Sequence, residues 1–266
     1  MNKPTFGIER KSMILSTLEK DGRVSVNTLS AKLNVCKETV RRDLREMEED
    51  GLVKRTHGGA VSMYTYDPKK VQEYPYLIRE IQNYEAKTMI CRKAASFIEN
   101  GDTIFVDNSS TNVAILKSIN PEYSVTVVTN SIRLLLESTV INNKNISMIS
   151  LGGLFREKNY SCTGGIADGI ARTFRPNKAF LSCYGIDIGN NLYDSNINEL
   201  DVKRIVLQNS KKVFLTGDHT KIGRQGVIVL SDFSQIDYLI TDMPIPDQSM
   251  EELRRRNIEV IIANKI

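Results

Sequence analysis

Lys37, Arg41, Arg42 and Arg45 crowd one short stretch of this sequence, and Glu46, Glu48, Glu49 and Asp50 complete it. Val40, Leu44 and Met47 recur through the same stretch at helical spacing, which predicts a helix from Cys36 or Lys37 to Asp50. Its outward face then presents Lys37, Glu38, Thr39, Arg41, Arg42 and Arg45. A helix with bases first and acids last opposes its own macrodipole, which favours the reverse order. A polyanion laid against the front half compensates that order. Arginine there can make a bidentate contact with guanine, and lysine or threonine can meet phosphate or bases. The same residues also fit a solvated helix laced with pairs such as Arg42–Glu46 at i,i+4.

A second set of polar residues falls at the ends of apolar runs. Asp107, Asn108, Ser109, Ser110, Thr111 and Asn112 lie between the run 103–107 and a helix predicted near 111–119. Backbone N–H groups at a helix start, ringed by hydroxyls, suit a phosphate or several sugar hydroxyls, although spare N-capping serines give the same pattern. Thr129, Asn130 and Ser131 close the run 125–129, and Leu151, Gly152 and Gly153 close the run 146–153, where glycine permits close backbone approach. Gly185 and Asp187 end the run 179–187. Gly217, Asp218, His219, Thr220 and Lys221 end the run 212–218, and Lys221 offers a point charge for phosphate. His219 alone reads as a surface or packing histidine. Glu199 and Lys203 are spaced i,i+4 on a predicted helix, a spacing most common in surface ion pairs.

The elements that must position these groups divide the chain. Residues 8–20 have helical apolar spacing and stop at Asp21-Gly22; 24–26 are extended; a second helix carries Leu29, Ala31 and Leu33, capped by Ser25 or Asn27. The Cys36–Asp50 helix ends at Gly51, 52–56 reads as a strand, Gly58-Gly59 as a hairpin turn and Ala60-Val61 as its return. That is a helix-turn-helix followed by a two-stranded wing, in which Arg55 and His57 flank the turn. Residues 1–61 form this domain, 62–75 a linker, and 76–266 a second domain opening on a helix from about 76 to 99. Beyond it, apolar strands alternate with helices near 111–119, 131–138, 198–210 and 249–256, and the last strands cover 236–242 and 258–263. Continuous apolar strands between helices predict a mostly parallel α/β sheet covered on both faces. Ligands in such sheets sit beyond the carboxyl ends of the strands.

Composition sets outer limits. The 266 residues are 41% hydrophobic and 26% charged, as in ordinary soluble proteins, and the net charge of +4 is mild. No apolar run is long enough to span a bilayer, and residues 1–10 lack the apolar core of a secretory signal. Cys36, Cys91, Cys162 and Cys183 form no CxxC pair, so they read as reduced cytoplasmic thiols with no metal site.

The segment "VSVNTLSAKLNVCKETVRRDLREMEEDGLVKRTHGGAV" resembles the N-terminal domain of the DeoR family of bacterial transcriptional regulators. The family usually has serine where this chain has Cys36, and serine is the better cap. The segments "VDNSST", "VVTNS", "LGG", "YGID", Glu199 with Lys203, and "GDHTK" resemble that family's effector domain, so the likeness spans about residues 8–245. It implies a sensor domain related in fold to ribose-5-phosphate isomerase and to sugar-phosphate and CoA-transferase enzymes. At Asn108-Ser109 the family more often has a small residue followed by glycine, so Ser109 adds a side chain where backbone would meet ligand.

The resemblance implies a cytoplasmic repressor of a sugar-utilisation operon, binding operator DNA and relieved by a phosphorylated sugar, with no cofactor. Two-fold operators imply a homo-oligomer. The competing expectation is a sugar-phosphate isomerase fused to a DNA reader. Its chemistry needs a carboxylate base, for which Asp107, Asp187 and Asp218 are candidates. A DNA-architectural protein without a ligand leaves the polar strand ends unexplained.

Overall fold

The structure is a computed structural model and describes residues 7–63, 73–141 and 143–263. Residues 7–63 with Tyr74–Glu85 form one compact unit, and Glu73 with 86–263 forms another.

In the N-terminal unit, α1 (Gly7–Asp21) is followed by β1 (Arg23–Ser25), α2 (Val26–Leu33), α3 (Lys37–Glu49), β2 (Val53–Thr56) and β3 (Gly59–Ser62). Ser25 caps α2 by accepting the Thr28 N–H at 3.0 Å, and Asn34 ends it at φ 53°. Cys36 precedes α3 without a side-chain cap bond. Ile14, Leu18, Leu29, Val40, Leu44 and Met47 are buried together between the helices. Where the sequence predicts a two-stranded wing turning at Gly58-Gly59, the hairpin turns through His57 and Gly58, the latter at φ 89°. Gly59 is already in the return strand, and β1 adds a third strand in the order β1-β3-β2. A Cβ on Gly59 would sit 1.9 Å from the Val24 carbonyl oxygen, so side-chain-bearing residues would push β1 off the wing.

The single helix expected over 76–99 is two. α4 (Tyr76–Ile81) and α5 (Tyr84–Ala95) are separated by Gln82 and by Asn83 at φ 52°. Ile78 and Ile81 of α4 join the core of the N-terminal unit, so packing groups α4 with that unit rather than with the second domain. Residues 64–72, most of the expected linker, lie outside the described residues.

The C-terminal unit continues through β4 (Thr103–Val106), β5 (Val125–Thr129), α6 (Ile132–Ile141), β6 (Ile146–Ser150), β7 (Leu154–Arg156), β8 (Ser161–Thr163), α7 (Gly165–Ala171), β9 (Lys178–Leu181), β10 (Gly185–Ile186), β11 (Leu192–Asp194), α8 (Leu200–Asn209), β12 (Lys212–Thr216), β13 (Ile228–Ser231), β14 (Tyr238–Thr241), α9 (Asp247–Arg255) and β15 (Glu259–Ile262). Seven strands form one sheet in the order β15-β14-β12-β9-β4-β5-β6, with every neighbouring pair parallel. Alternate residues enter different cores: Phe105, Val128 and Leu181 one, Ile104, Val127 and Phe180 the other. That explains the unbroken apolar runs in the sequence.

Strand order reverses between β4 and β9, because β5 and β6 lie to one side and β12, β14 and β15 to the other. Such a switch point is where open α/β sheets bind ligands. Two expectations change here. The helix near 111–119 is a 3-10 turn, Val113–Ser118. The run 179–187 is two strands: β9 ends at Leu181, and β10 pairs antiparallel with β11 in a small sheet of order β10-β11-β13. The β7–β8 hairpin and α7 were not legible as elements.

Candidate nucleic-acid interface and effector site

Val40, Leu44 and Met47 turn one face of α3 into the core, which leaves Lys37, Glu38, Arg41, Arg42 and Arg45 exposed. Thr39 is half-buried, its hydroxyl 3.2 Å from the Cys36 Sγ. That contact holds the exposed Cys36 thiol below its ordinary pKa. Arg41 pairs with Glu38 at 3.2 Å, and Arg42 approaches Glu46 only to 4.0 Å. Lys37 and Arg45 have no ion pair among the described residues.

The acids at the far end are balanced inside the unit: Lys11 reaches Glu46 at 3.0 Å and Asp50 at 3.9 Å, and Glu48 faces Arg55 of β2. Asp43 is buried on the apolar stripe. Arg10 donates to it from Nε at 2.7 Å and Nη2 at 2.9 Å, fixing the back of α3 against α1. Arg55 and His57 are exposed on the wing beside Gly58.

At the switch point the strand ends form one polar cluster. Asp107 is its hub. Oδ1 accepts the Ser109 N–H at 3.0 Å and Asn112 Nδ2 at 2.9 Å, and Oδ2 accepts the Ser182 N–H at 2.7 Å, clasping the ends of β4 and β9. Thr129 is also spent, donating to the Val106 carbonyl at 2.6 Å and accepting the Ser131 N–H at 3.0 Å. Ser131 accepts the Leu134 N–H at 3.1 Å and so caps α6. Ser109 turns its hydroxyl back to the Asn112 N–H at 3.2 Å, so its extra side chain braces the loop.

Other groups face the same cluster. Ser110 and Thr111 are buried, yet their N–H groups have no acceptor among the described residues. Buried N–H groups without an acceptor are rare, and an oxygen acceptor brought to them would complete them. Lys221 Nζ donates to Ser182 Oγ at 2.7 Å and stands 3.5 Å from Thr111 Oγ1. Asn130 donates from Nδ2 to Asn108 Oδ1 at 3.5 Å and to the Cys162 carbonyl at 3.4 Å; its Oδ1 is buried without a partner among the described residues. Asp218 accepts from the N–H of Thr220 at 3.0 Å. Burial would raise its carboxyl, but Lys221 and Lys87 outweigh that and hold it below the ordinary range. Gly217 lets this loop close in, since a Cβ there would lie 2.8 Å from Ile186 Cδ1.

The other expected residues divide. Glu199 and Lys203 are not the surface pair their spacing predicts. Lys203 is buried, donating to Asp194 at 2.6 Å and the Ser182 carbonyl at 2.8 Å. Burial lowers its pKa, and Asp194 and Asp107 more than reverse that. Glu199 accepts from Arg156, Asn159 and Ser161, while its Oε2 is buried without a partner among the described residues. Gly152 and Gly153 take φ 61° and 109°; a Cβ on Gly153 would meet the Thr163 carbonyl at 2.7 Å, so they shape the turn into β7. Gly185 packs on the Arg224 backbone. Asp187 bonds Asn190 and Gln225 and lines a separate cavity of about 360 Å³ with His219. His219 bonds Asp242 at 2.7 Å.

Sequence reasoning missed Lys87, Ser182 and Asp194. Lys87, on α5, donates to Ser110 Oγ at 3.1 Å. Its one legible signal is a lysine on the helix stripe that continues through Ile90, Cys91 and Ala94. Burial pushes the Cys91 and Cys183 thiols up to about 12, so they stay protonated.

A family description, DeoR-like helix-turn-helix domain, matches residues 10–65, and another, DeoR C terminal sensor domain, matches residues 82–243. The chain is 33% identical to the uncharacterised helix-turn-helix transcriptional regulator YulB of Bacillus subtilis strain 168, covering 95% of each. It is 29% identical to the glycerol-3-phosphate regulon repressor of Escherichia coli K12, covering 95% of this chain and 97% of that one. Among solved structures, ribose 5-phosphate isomerase A of Methanocaldococcus jannaschii matches with TM-score 0.40 and 14% identity, over 53% of this chain and 55% of that one.

Proposed function

The chain belongs to the DeoR family of helix-turn-helix transcriptional regulators, and on that premise we propose that it is a repressor which leaves its operator when a phosphorylated sugar or related metabolite fills the strand-end site. The observation that carries the sensor half is the pair of buried N–H groups at Ser110 and Thr111 with Lys221 beside them. Backbone donors plus a lysine replace the hydration of a phosphate. Asn130 Oδ1, without a partner among the described residues, and the ionised Asp218 accept hydrogen bonds from hydroxyls of the rest of the ligand. The likeness to a glycerol-3-phosphate regulon repressor agrees with a phosphorylated effector. The binding determinants on the DNA side are Lys37, Thr39, Arg41, Arg42 and Arg45 of α3, with Arg55 and His57 of the wing.

The isomerase reading is disfavoured by the same geometry. Asp107 has both oxygens committed, Asp187 lines a different cavity and accepts from Asn190 and Gln225, and Asp218 is held low, whereas a general base works best near the operating pH. The protein acts in the cytoplasm as a homo-oligomer whose two readers match a two-fold operator.

Lys221→Ala tests the reading. Gel shifts with operator DNA should show wild-type binding and no release by the sugar phosphate that releases wild type. Release at the wild-type ligand concentration would remove Lys221 from the site.

A further inference from the structure

An exposed apolar strand edge carries N–H and C=O groups that template another strand. β7 has such an edge. It pairs only with β8, in a two-stranded sheet, and its Leu154 and Phe155 are 70% and 50% exposed. The groups on that edge can be named. The Cys162 N–H donates to the Asn130 carbonyl at 2.8 Å, and the Cys162 carbonyl accepts from Asn130 Nδ2 at 3.4 Å. Both backbone groups of Cys162 therefore face away from β7, so Phe155, its register partner, stands in a non-hydrogen-bonded pair. The N–H and C=O of Phe155 then point outward, where they have no hydrogen-bond partner among the described residues. α7 flanks this edge, its Ala167 lying 3.2 Å from where a Cβ on Gly153 would sit. Ile166 and Ile170, one turn apart on α7, are 68% and 39% exposed.

We propose that β7 is a two-fold interface between copies of this chain, pairing antiparallel with β7 of a second copy about an axis at Phe155. The inference rests on the homo-oligomeric reading above and adds where two copies meet. The occupant follows from the backbone. An outward N–H and C=O on one residue are both satisfied by one facing residue of an antiparallel strand, which exchanges two bonds with it. A two-fold axis at Phe155 sets that residue against itself, so a second copy supplies the strand. The result is a four-stranded sheet, β8-β7 of one protomer continued by β7-β8 of its partner. The pairing consumes the open edge of each copy and so closes instead of running on. Three residues a side bury too little alone, against the roughly 1,200–2,000 Å² of a stable interface. Ile166 and Ile170 beside the strand extend the apolar area.

The test uses the full chain, with mass read by sedimentation velocity. Wild type should sediment as a dimer or larger. Phe155→Lys sets two ammonium groups against each other at the axis and should halve that mass with circular dichroism unchanged. Phe155→Cys, made together with Cys36→Ser to remove the exposed native thiol, should cross-link two chains on mild oxidation. A facing antiparallel pair of this kind holds its Cα atoms about 5.5 Å apart, within disulfide reach. Val227→Cys in the same background, at a position 80% exposed, controls for random collision. Wild-type mass in Phe155→Lys, or cross-linking of Phe155→Cys no faster than that of Val227→Cys, would overturn the inference and leave the oligomeric reading standing. A wild type that is monomeric at every concentration would overturn both. If Phe155→Lys does not fold, the cross-link decides.

Discussion

Glu48, near the end of α3, accepts the backbone N–H of Arg55 at 2.8 Å while its other oxygen faces the Arg55 guanidinium at 3.8 Å. One carboxylate therefore ties the recognition helix to the wing and half-neutralises the wing's own cation. With Lys11 on Glu46 and Asp50, it explains why acids crowd the unfavourable end of the helix: they are held by neighbours, and the basic front is left for an outside anion.

Reversing the wing charge should weaken specific and non-specific binding together. Arg55→Glu places a carboxylate against both phosphate and Glu48. Filter binding to operator and to random duplex should show losses of similar size. A loss confined to operator would mean that the wing reads bases.

Arg41 and Arg42 are exposed on the front half of α3 with only loose partners, so Arg41→Ala and Arg42→Ala should leave the melting temperature unchanged. An arginine that contacts a base should cost about 1–3 kcal/mol of operator affinity and relax one position. One that contacts phosphate should weaken all sequences alike and reduce the salt slope by about one. Operator affinity unchanged from wild type in both variants at fixed salt would contradict the interface.

Asp218 makes stability depend on acid. Its folded pKa lies below the ordinary carboxylate value, so its contribution is complete at neutral pH and is lost as pH falls through the folded pKa. Asp218→Asn should therefore be less stable than wild type at pH 7, with the gap closing as pH falls below the ordinary carboxylate pKa and through the lower folded one. Denaturant melts across that range check the sign. A gap that persists in acid would assign the loss to packing.

Much of this was legible in the sequence because spacing and punctuation act locally. The helix-turn-helix followed from apolar period, Ser25 and Gly51, and the parallel sheet from unbroken apolar runs. What was not legible depends on contacts far apart in the chain. Asp107 reads as a ligand group, but Ser182, 75 residues on, consumes it. Gly59 reads as a turn glycine until β1 is placed against it. Asp43, Lys87 and Lys203 sit on apolar helix stripes, which marks them as buried charges without naming partners. Residues 154–171 lack a clear period because β7, β8 and α7 are each only three to seven residues long, and β7 is largely exposed while β8 is buried.

The central claim is that one chain joins a DNA reader to a sensor of phosphorylated sugars. Its most direct test is fluorescence anisotropy of labelled operator bound to wild-type protein, titrated with a panel of sugar and polyol phosphates and with their unphosphorylated counterparts. The account predicts that at least one phosphorylated compound releases the operator and raises the melting temperature of the free protein, while the compound is recovered unchanged and its unphosphorylated form has no effect. Operator affinity indifferent to every phosphorylated compound, or a compound converted to product, would contradict it.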